Sequence, residues 1–134
     1  MIYAPHFQLR AFERLTDHAK FAALTHLLEA LVAVNVVWLR EHPSAPWLYQ
    51  SGVRYKDEPP GQDDWQDIPE TLARGNGDCE DLACWRLAEL RTRTSEDVLP
   101  HVTRTILGPR TVYHIAVRRR TGGIEDPSRV LGMR

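Results

Sequence analysis

The chain has 134 residues, which suffices for one domain with a hydrophobic core and is too short for two. Its 17 Lys and Arg residues balance 18 Asp and Glu residues, so no basic excess indicates a nucleic acid or an anionic membrane surface as partner. We therefore expect a single domain over residues 1–134, with neither nucleic acid nor a membrane as partner. The N-terminus lacks a basic segment followed by an apolar stretch, which argues against a signal peptide and predicts a cytoplasmic protein, or a virion-associated one if a phage encodes it.

The first third of the chain has a helical pattern. A short helical pattern covers residues 8–20, and a long helix is predicted from about 18 to 41, with Asp17 as its cap. Residues 21–39 approach the length of a membrane span, but polar residues interrupt them and favour a core helix. Its buried face is predicted to hold Leu24, Leu27, Leu28, Leu31, Val34, Asn35 and Trp38.

The rest of the chain changes from loop to helix to strand. Residues 47–56 alternate weakly and predict an extended segment, and the proline-rich, acidic connection over 57–77 contains a short helix at 68–74. A helix is predicted over 79–93. Two alternating segments joined at Gly108-Pro109, followed by a turn at 121–123, predict a three-stranded antiparallel meander and hence the α+β class.

Two cysteines lie in the helix predicted over 79–93. Five positions separate Cys79 from Cys84, which places them on different faces and predicts no disulfide. Cys84 lies among apolar residues and is expected to be a small core residue. Cys79 opens the helix, where backbone N–H groups and the helix dipole favour a thiolate over a thiol.

A base and an orienting group for Cys79 follow in the last strands. Strand alternation puts Val112, His114 and Ala116 on one face, which we expect to be turned toward the start of the Cys79 helix. Asp126, beyond one tight turn, can lie beside His114 and hold its imidazole. The order predicts a nucleophile, a base and an orienter. Taken singly, each residue is more often structural, so a core thiol or a metal-site residue stays an alternative for Cys79.

The segment around Cys79 carries a motif. Tyr55 is followed by the acidic stretch Asp63-Asp64-Trp65 and then by PETLARGNGDCEDLA, residues 69–83. This segment resembles the bacterial transglutaminase-like cysteine proteinases, a family that includes periplasmic adhesin-releasing proteases. The resemblance implies a papain-like or transglutaminase-like fold, with N-terminal helices and a Cys-bearing helix packed on a small antiparallel β-sheet. It also implies that Cys79, His114 and Asp126 form a catalytic triad that hydrolyses a peptide or amide bond in a protein substrate through a thioester.

The same resemblance implies calcium as a possible ion, although the triad chemistry itself requires no cofactor. Asp78 and Glu80 would be ligands and Asp81 a further one, and carboxylate oxygens suit calcium. Capping of the helix and compensation of its dipole explain these three acids equally well.

Several points stay open in the sequence. An oxyanion hole needs the Cys79 N–H and a second donor, for which Gln50, Trp47 and Tyr55 are equal candidates. A transglutaminase or deamidase acting on glutamine side chains differs from a protease only in the acceptor. A catalytically silent assembly module, such as a phage-particle component, and a metal-binding module are alternatives from other classes. Neither the substrate nor the oligomeric state follows from the sequence.

Overall fold

The computed structural model describes residues 9–58 and 64–134 as a mixed α+β fold, as predicted. Residues 1–8 and 59–63 lie outside the described residues, and with them Gln8 of the short helical pattern and Asp63 of the acidic motif. Two 3-10 helices cover Phe12–Arg14 and Leu48–Gln50. The other elements are α1 (Asp17–Glu41), β1 (Arg54–Tyr55), α2 (Ile68–Arg74), β2 (Asn76–Gly77), α3 (Cys79–Arg93), β3 (Leu99–Leu107), β4 (Arg110–Arg118), β5 (Ile124–Glu125) and α4 (Pro127–Val130).

The long helix α1 packs against α3, as expected of a core helix. Thr16, not the predicted Asp17, caps it, because the Thr16 hydroxyl accepts a hydrogen bond from the N–H of Ala19. Val34, predicted to be buried, is 53% exposed since it lies about 100° around the helix from the buried Asn35. The buried residues of α1 are Leu24, Leu28, Val32, Asn35 and Leu39.

The outer side of α1 remains apolar. By length and composition α1 is able to cross a membrane, and 28% of its most apolar stretch is buried. Val34 and Val37 are exposed there, whereas Phe21 is exposed near the start of the helix on the side of the buried face. The helix thus combines a buried face against α3 with an apolar face that no described residue covers.

The helix α3 lies at the centre of the core. It packs against α1 on one side and against β4 on the other. Its own buried residues include the fully buried Trp85, Leu87 and Cys84. The predicted helices over 68–74 and 79–93 are both confirmed, and their ends match α2 and α3.

The predicted three-stranded meander is confirmed, with strand order β3-β4-β5 and antiparallel pairing throughout. The last strand is short and pairs only with Val117 and Arg118 of β4. The face of β4 that enters the core carries Ile115 and Val117. On the opposite face, Ala116 is buried, His114 is partly buried and Val112 is exposed.

Most of the segment predicted to be extended over residues 47–56 is not a strand. A 3-10 helix occupies Leu48–Gln50, and only β1 is a strand. It pairs in parallel with β2, so that Tyr55 lies opposite Gly77, and the N–H of Lys56 donates to the Gly77 carbonyl at 2.9 Å. This pairing brings the segment before the long connection to the start of α3.

Candidate active site

Two glycines set the backbone that leads into Cys79. Gly75 ends α2 with a φ of 76°, a left-handed conformation that favours glycine. Gly77 meets a packing limit instead, because a Cβ there would lie 3.0 Å from the Cβ of Asp81. The GNG sequence before Asp78 thus ends one helix and allows the next to begin close behind it.

Both carboxylate oxygens of Asp81 accept hydrogen bonds from backbone N–H groups. Its Oδ2 accepts a hydrogen bond from the N–H of Asp78 at 3.1 Å, and its Oδ1 accepts one from the N–H of Gln66 at 2.7 Å. Burial, followed by the charge of Asp78, raises the pKa of Asp81. Asp81 therefore ties the segment before α2 to the first turn of α3, and both of its oxygens have structural partners.

Burial opposes ionisation of the Cys79 thiol, in the direction opposite to the effect expected of its position at the helix start. Its pKa is raised to about 11, above all by burial and further by the charge of Asp78. The N–H of Ile115 donates a hydrogen bond to the sulfur and works in the opposite direction. The thiol donates to Glu80 Oε2 at 3.4 Å. Burial and the charges of Asp78 and Asp81 thus outweigh the effect of the Ile115 N–H on the pKa of Cys79.

His114 and Asp126 are joined directly. The His114 Nε2 lies 2.7 Å from Asp126 Oδ2, and both side chains are partly buried. The other oxygen of Asp126 accepts a hydrogen bond from the N–H of Arg129 at 3.4 Å, so Asp126 also caps α4. The carboxylate fixes the ring from one side and leaves Nδ1 as the nitrogen available to a thiol.

Cys79 meets β4 at its edge. The N–H that reaches the sulfur belongs to Ile115, the residue after His114. Backbone N–H groups of a strand point along the sheet, so this contact places the Cys79 sulfur at the edge of β4. Within residues 9–58 and 64–134, no hydrogen bond joins the sulfur to His114. The structure joins His114 to Asp126 and places the Cys79 sulfur beside Ile115, the residue after His114, with the thiol turned to Glu80.

The three candidate oxyanion donors lie in different places. Tyr55 is beside the site, because the charge of an ionised Cys79 adds to burial and Asp57 in raising the pKa of its phenol. Trp47 stacks under Arg93, with 5.0 Å between the guanidinium carbon and the ring centroid. Arg93 ends α3, about 21 Å from Cys79 along the helix, so Trp47 is wrong as a donor. Gln50 is exposed, and no contact in the described part of the chain joins it to Cys79.

An acidic group next to Cys79 is able to hold a metal ion. One carboxylate oxygen each from Glu58, Asp78 and Glu80 lie within 4.8 Å of one another. Glu58, which the sequence did not single out, takes the place expected for Asp81. Its signal was weak, since it stands in an acidic run 20 residues before Asp78.

A charged cluster anchors β5, and the sequence did not indicate it. Arg86 of α3 donates to Glu125 Oε2 at 2.6 Å and to Glu89 at 2.9 Å. Tyr49 donates to the same Glu125 oxygen at 2.5 Å. Burial raises the pKa of Glu125, but the hydrogen bonds from Arg86 and Tyr49 outweigh it and lower that pKa. Because Glu125 precedes Asp126, this cluster also fixes the residue that holds His114.

Comparison with protein-family models, with curated proteins and with solved structures finds no match. The site is therefore interpreted from its own geometry and from the motif that surrounds Cys79.

Proposed function

We propose that the protein is a thiol-dependent acyl-transfer enzyme of transglutaminase-like type, with a papain-like or transglutaminase-like fold. Its reaction would be hydrolysis of a peptide or amide bond in a protein. The observation that carries the proposal is the 2.7 Å contact of His114 Nε2 with Asp126, formed next to the strand residue whose N–H reaches the Cys79 sulfur. These contacts support the assignment of a nucleophile, a base and an orienter to residues of three separate elements.

The first half of the reaction forms a thioester. His114 Nδ1 takes the proton of the Cys79 thiol while the sulfur attacks the substrate carbonyl carbon. The oxyanion that forms accepts hydrogen bonds from the Cys79 N–H and from the Tyr55 hydroxyl, which must first turn away from Asp57 Oδ1, its acceptor at 3.2 Å. The C–N bond then breaks, His114 gives its proton to the leaving amine, and the acyl group remains on Cys79.

The second half restores the thiol. His114 takes a proton from a water molecule, whose oxygen attacks the thioester carbonyl. The C–S bond breaks, the sulfur regains its proton from His114, and the carboxylic acid leaves. Asp126 stabilises the imidazolium in both halves by accepting the hydrogen bond from Nε2.

The raised pKa of Cys79 adds a condition to this mechanism. A thiol with a pKa of about 11 is not deprotonated in the resting enzyme at neutral pH. Proton transfer to His114 therefore accompanies substrate attack. For this transfer, the thiol must turn from Glu80 Oε2 toward His114 Nδ1.

We also propose calcium as an ion held by Glu58, Asp78 and Glu80. The fit is geometric, since oxygens within 4.8 Å of one another can share an ion with Ca–O distances of about 2.3–2.6 Å. A bound cation would supply positive charge next to the thiol. The charge of Asp78, which raises the pKa of Cys79, would then be compensated.

A catalytically silent assembly module is the second candidate. It is favoured by the thiol's hydrogen bond to Glu80 and by the raised pKa of Cys79. Such a module would keep the fold and form no thioester.

Turnover separates the two candidates. Fluorescein-labelled casein is incubated with the wild type, with Cys79→Ala and with Cys84→Ala, each with calcium or with a chelator. We expect peptide release by the wild type and by Cys84→Ala, and none by Cys79→Ala. Loss of release in the chelator would support the ion. Release that persists in Cys79→Ala would refute the enzyme proposal, and no release by any form would favour the silent module.

A further inference from the structure

The hydrogen-bonding phase of β4 follows from its hairpin. A two-residue turn, Gly108-Pro109, joins β3 to β4, and Gly108 has a φ of 60°. The residues that flank a two-residue turn of this kind exchange both backbone hydrogen bonds, which here applies to Leu107 and Arg110. Even-numbered residues of β4 therefore bond to β3. The N–H and C=O groups of its odd-numbered residues point to the opposite edge.

Four observations agree with this alternation of hydrogen bonds along β4. Pro100, which has no N–H, lies opposite Val117 in the register, where no bond to β4 is needed. Val117 pairs with Glu125 on the opposite edge. The N–H of Arg119 donates to the Gly123 carbonyl at 2.8 Å on the same edge. The N–H of Ile115 donates to the Cys79 sulfur.

Beyond Ile115, the described residues leave the same edge unpaired. The strand β5 covers it only at Val117 and Arg118. The next outward residues are Tyr113 and Thr111, and no described residue bonds to their outward backbone groups. They lie two and four residues from Ile115, or about 7 Å and 13 Å along the strand. Thr111 is exposed.

We propose that this edge binds the substrate as an added β-strand. An extended polypeptide pairing with Thr111 and Tyr113 runs along the edge into the position where Ile115 meets the Cys79 sulfur. Its scissile carbonyl is thereby delivered to the thiol. Backbone N–H and C=O groups in alternation are complementary to another extended backbone, so the occupant is a peptide and not a folded surface or a small amide.

This inference rests on the proposed function and narrows its substrate class. A protein segment must leave its own secondary structure before it can pair with β4. The enzyme therefore acts on unfolded or flexible segments. Side chains on alternate positions of the substrate face the two sides of the sheet, so the pairing is largely independent of sequence.

Two single proline substitutions test whether the edge of β4 binds the substrate. Thr111→Pro removes an outward N–H from β4 without removing a bond to β3, and Ile106→Pro does the same on the outer edge of β3, directly opposite. The probes are fluorescein-labelled casein, which can pair, and p-nitrophenyl acetate, which is too short to reach Thr111. We expect Thr111→Pro to lower kcat/KM for casein about tenfold, the effect of one lost hydrogen bond. Ile106→Pro should not change it, and neither variant should change acetate release.

Equal casein kinetics in the two proline variants and the wild type would overturn the inference and leave the proposed function intact. Failure of the wild type to cleave casein at all would instead refute the function. If light scattering shows a wild-type dimer that Thr111→Pro makes monomeric, a second copy occupies the edge and the inference is wrong.

A substrate-side test holds even if Thr111→Pro fails to fold. The first peptide released from casein marks the cleaved site, and a synthetic peptide spanning that site is compared with versions N-methylated at one residue at a time. We expect methylation to slow cleavage at alternate residues on one side of the scissile bond, because only those N–H groups face β4. A uniform effect, or none, would contradict strand addition.

Discussion

The two cysteines of α3 lie five residues apart in one helix, yet their surroundings differ. Burial raises the pKa of both thiols. Cys84 is fully buried, and its thiol donates to the Leu28 carbonyl at 3.6 Å. Cys79 is partly exposed and receives the N–H of Ile115, next to His114. The comparison shows that the two thiols differ in exposure and in the backbone group that contacts the sulfur.

The largest loss of activity is expected at Asp126, which holds the base His114 in the proposed mechanism. Asp126→Asn keeps the size of the side chain and its ability to cap α4, but loses the charge that holds the His114 imidazolium. We expect kcat to fall about 10²–10⁴-fold with little change in Tm. Steady-state casein hydrolysis and thermal unfolding measure the two quantities. Asp64→Asn is the matched control at an exposed carboxylate, and equal losses in the two variants would contradict the triad.

Alkylation compares the two thiols directly. In the folded protein, iodoacetamide should modify Cys79 at least about 10³ times faster than Cys84, which reacts only after opening of the core. Since the pKa of Cys79 is raised to about 11, its rate should increase about tenfold per pH unit from pH 7 to 10. Peptide mass spectrometry at each pH gives both rates. A rate for Cys79 that is already maximal at pH 7 would show a thiolate and contradict the burial argument.

We expect alanine at Gly77 to destabilise the protein more than alanine at Gly75. Gly77→Ala forces a Cβ to within 3.0 Å of Asp81, and we expect a loss of about 1–3 kcal/mol in unfolding free energy. Gly75→Ala meets no atom within 4 Å and has only the left-handed φ against it, which costs about 1–2 kcal/mol. Urea unfolding measures both. Because only Gly77→Ala crowds Asp81, whose charge adds to the raised pKa of Cys79, only this variant should also change the alkylation rate of Cys79, and an equal change in Gly75→Ala would contradict this.

The smallest effect concerns the buried thiol. Cys84→Ala removes one sulfur from the core and should lower the unfolding free energy by about 1–2 kcal/mol, with kcat unchanged. Cys79→Ala, at a partly exposed position, should lower it less. Chemical denaturation gives the unfolding free energy of both variants, and a larger loss in Cys79→Ala would contradict this expectation.

Much of the fold was predictable because its signals are local. Pro69 and the apolar stripe of α3 define two helices, and alternation around Gly108-Pro109 defines the hairpin. The β1–β2 pairing was not predictable, since two-residue strands joined across 20 residues have no periodicity. Thr16 and Asp17 are both good caps, and only the backbone geometry decides between them.

The candidate site was predictable in its residues and less so in its electrostatics. The order Cys79, His114 and Asp126 anticipated the observed contact of His114 with Asp126, and their catalytic roles stay a prediction. The raised pKa of Cys79 was not predictable, because burial depends on how β4 and the acids surround the sulfur, which no local pattern encodes. Glu58 and the cluster of Arg86 with Glu125 depend on contacts between distant segments.

The most direct test of the account is the covalent intermediate itself. The protein is mixed with p-nitrophenyl acetate, quenched in acid within seconds, and analysed by intact and peptide mass spectrometry. We expect one acetyl group, located on Cys79, removed by hydroxylamine as a thioester, absent from Cys79→Ala and present in Cys84→Ala. Acetylation confined to lysines, or equal in the wild type and Cys79→Ala, would contradict the claim that Cys79 is the nucleophile.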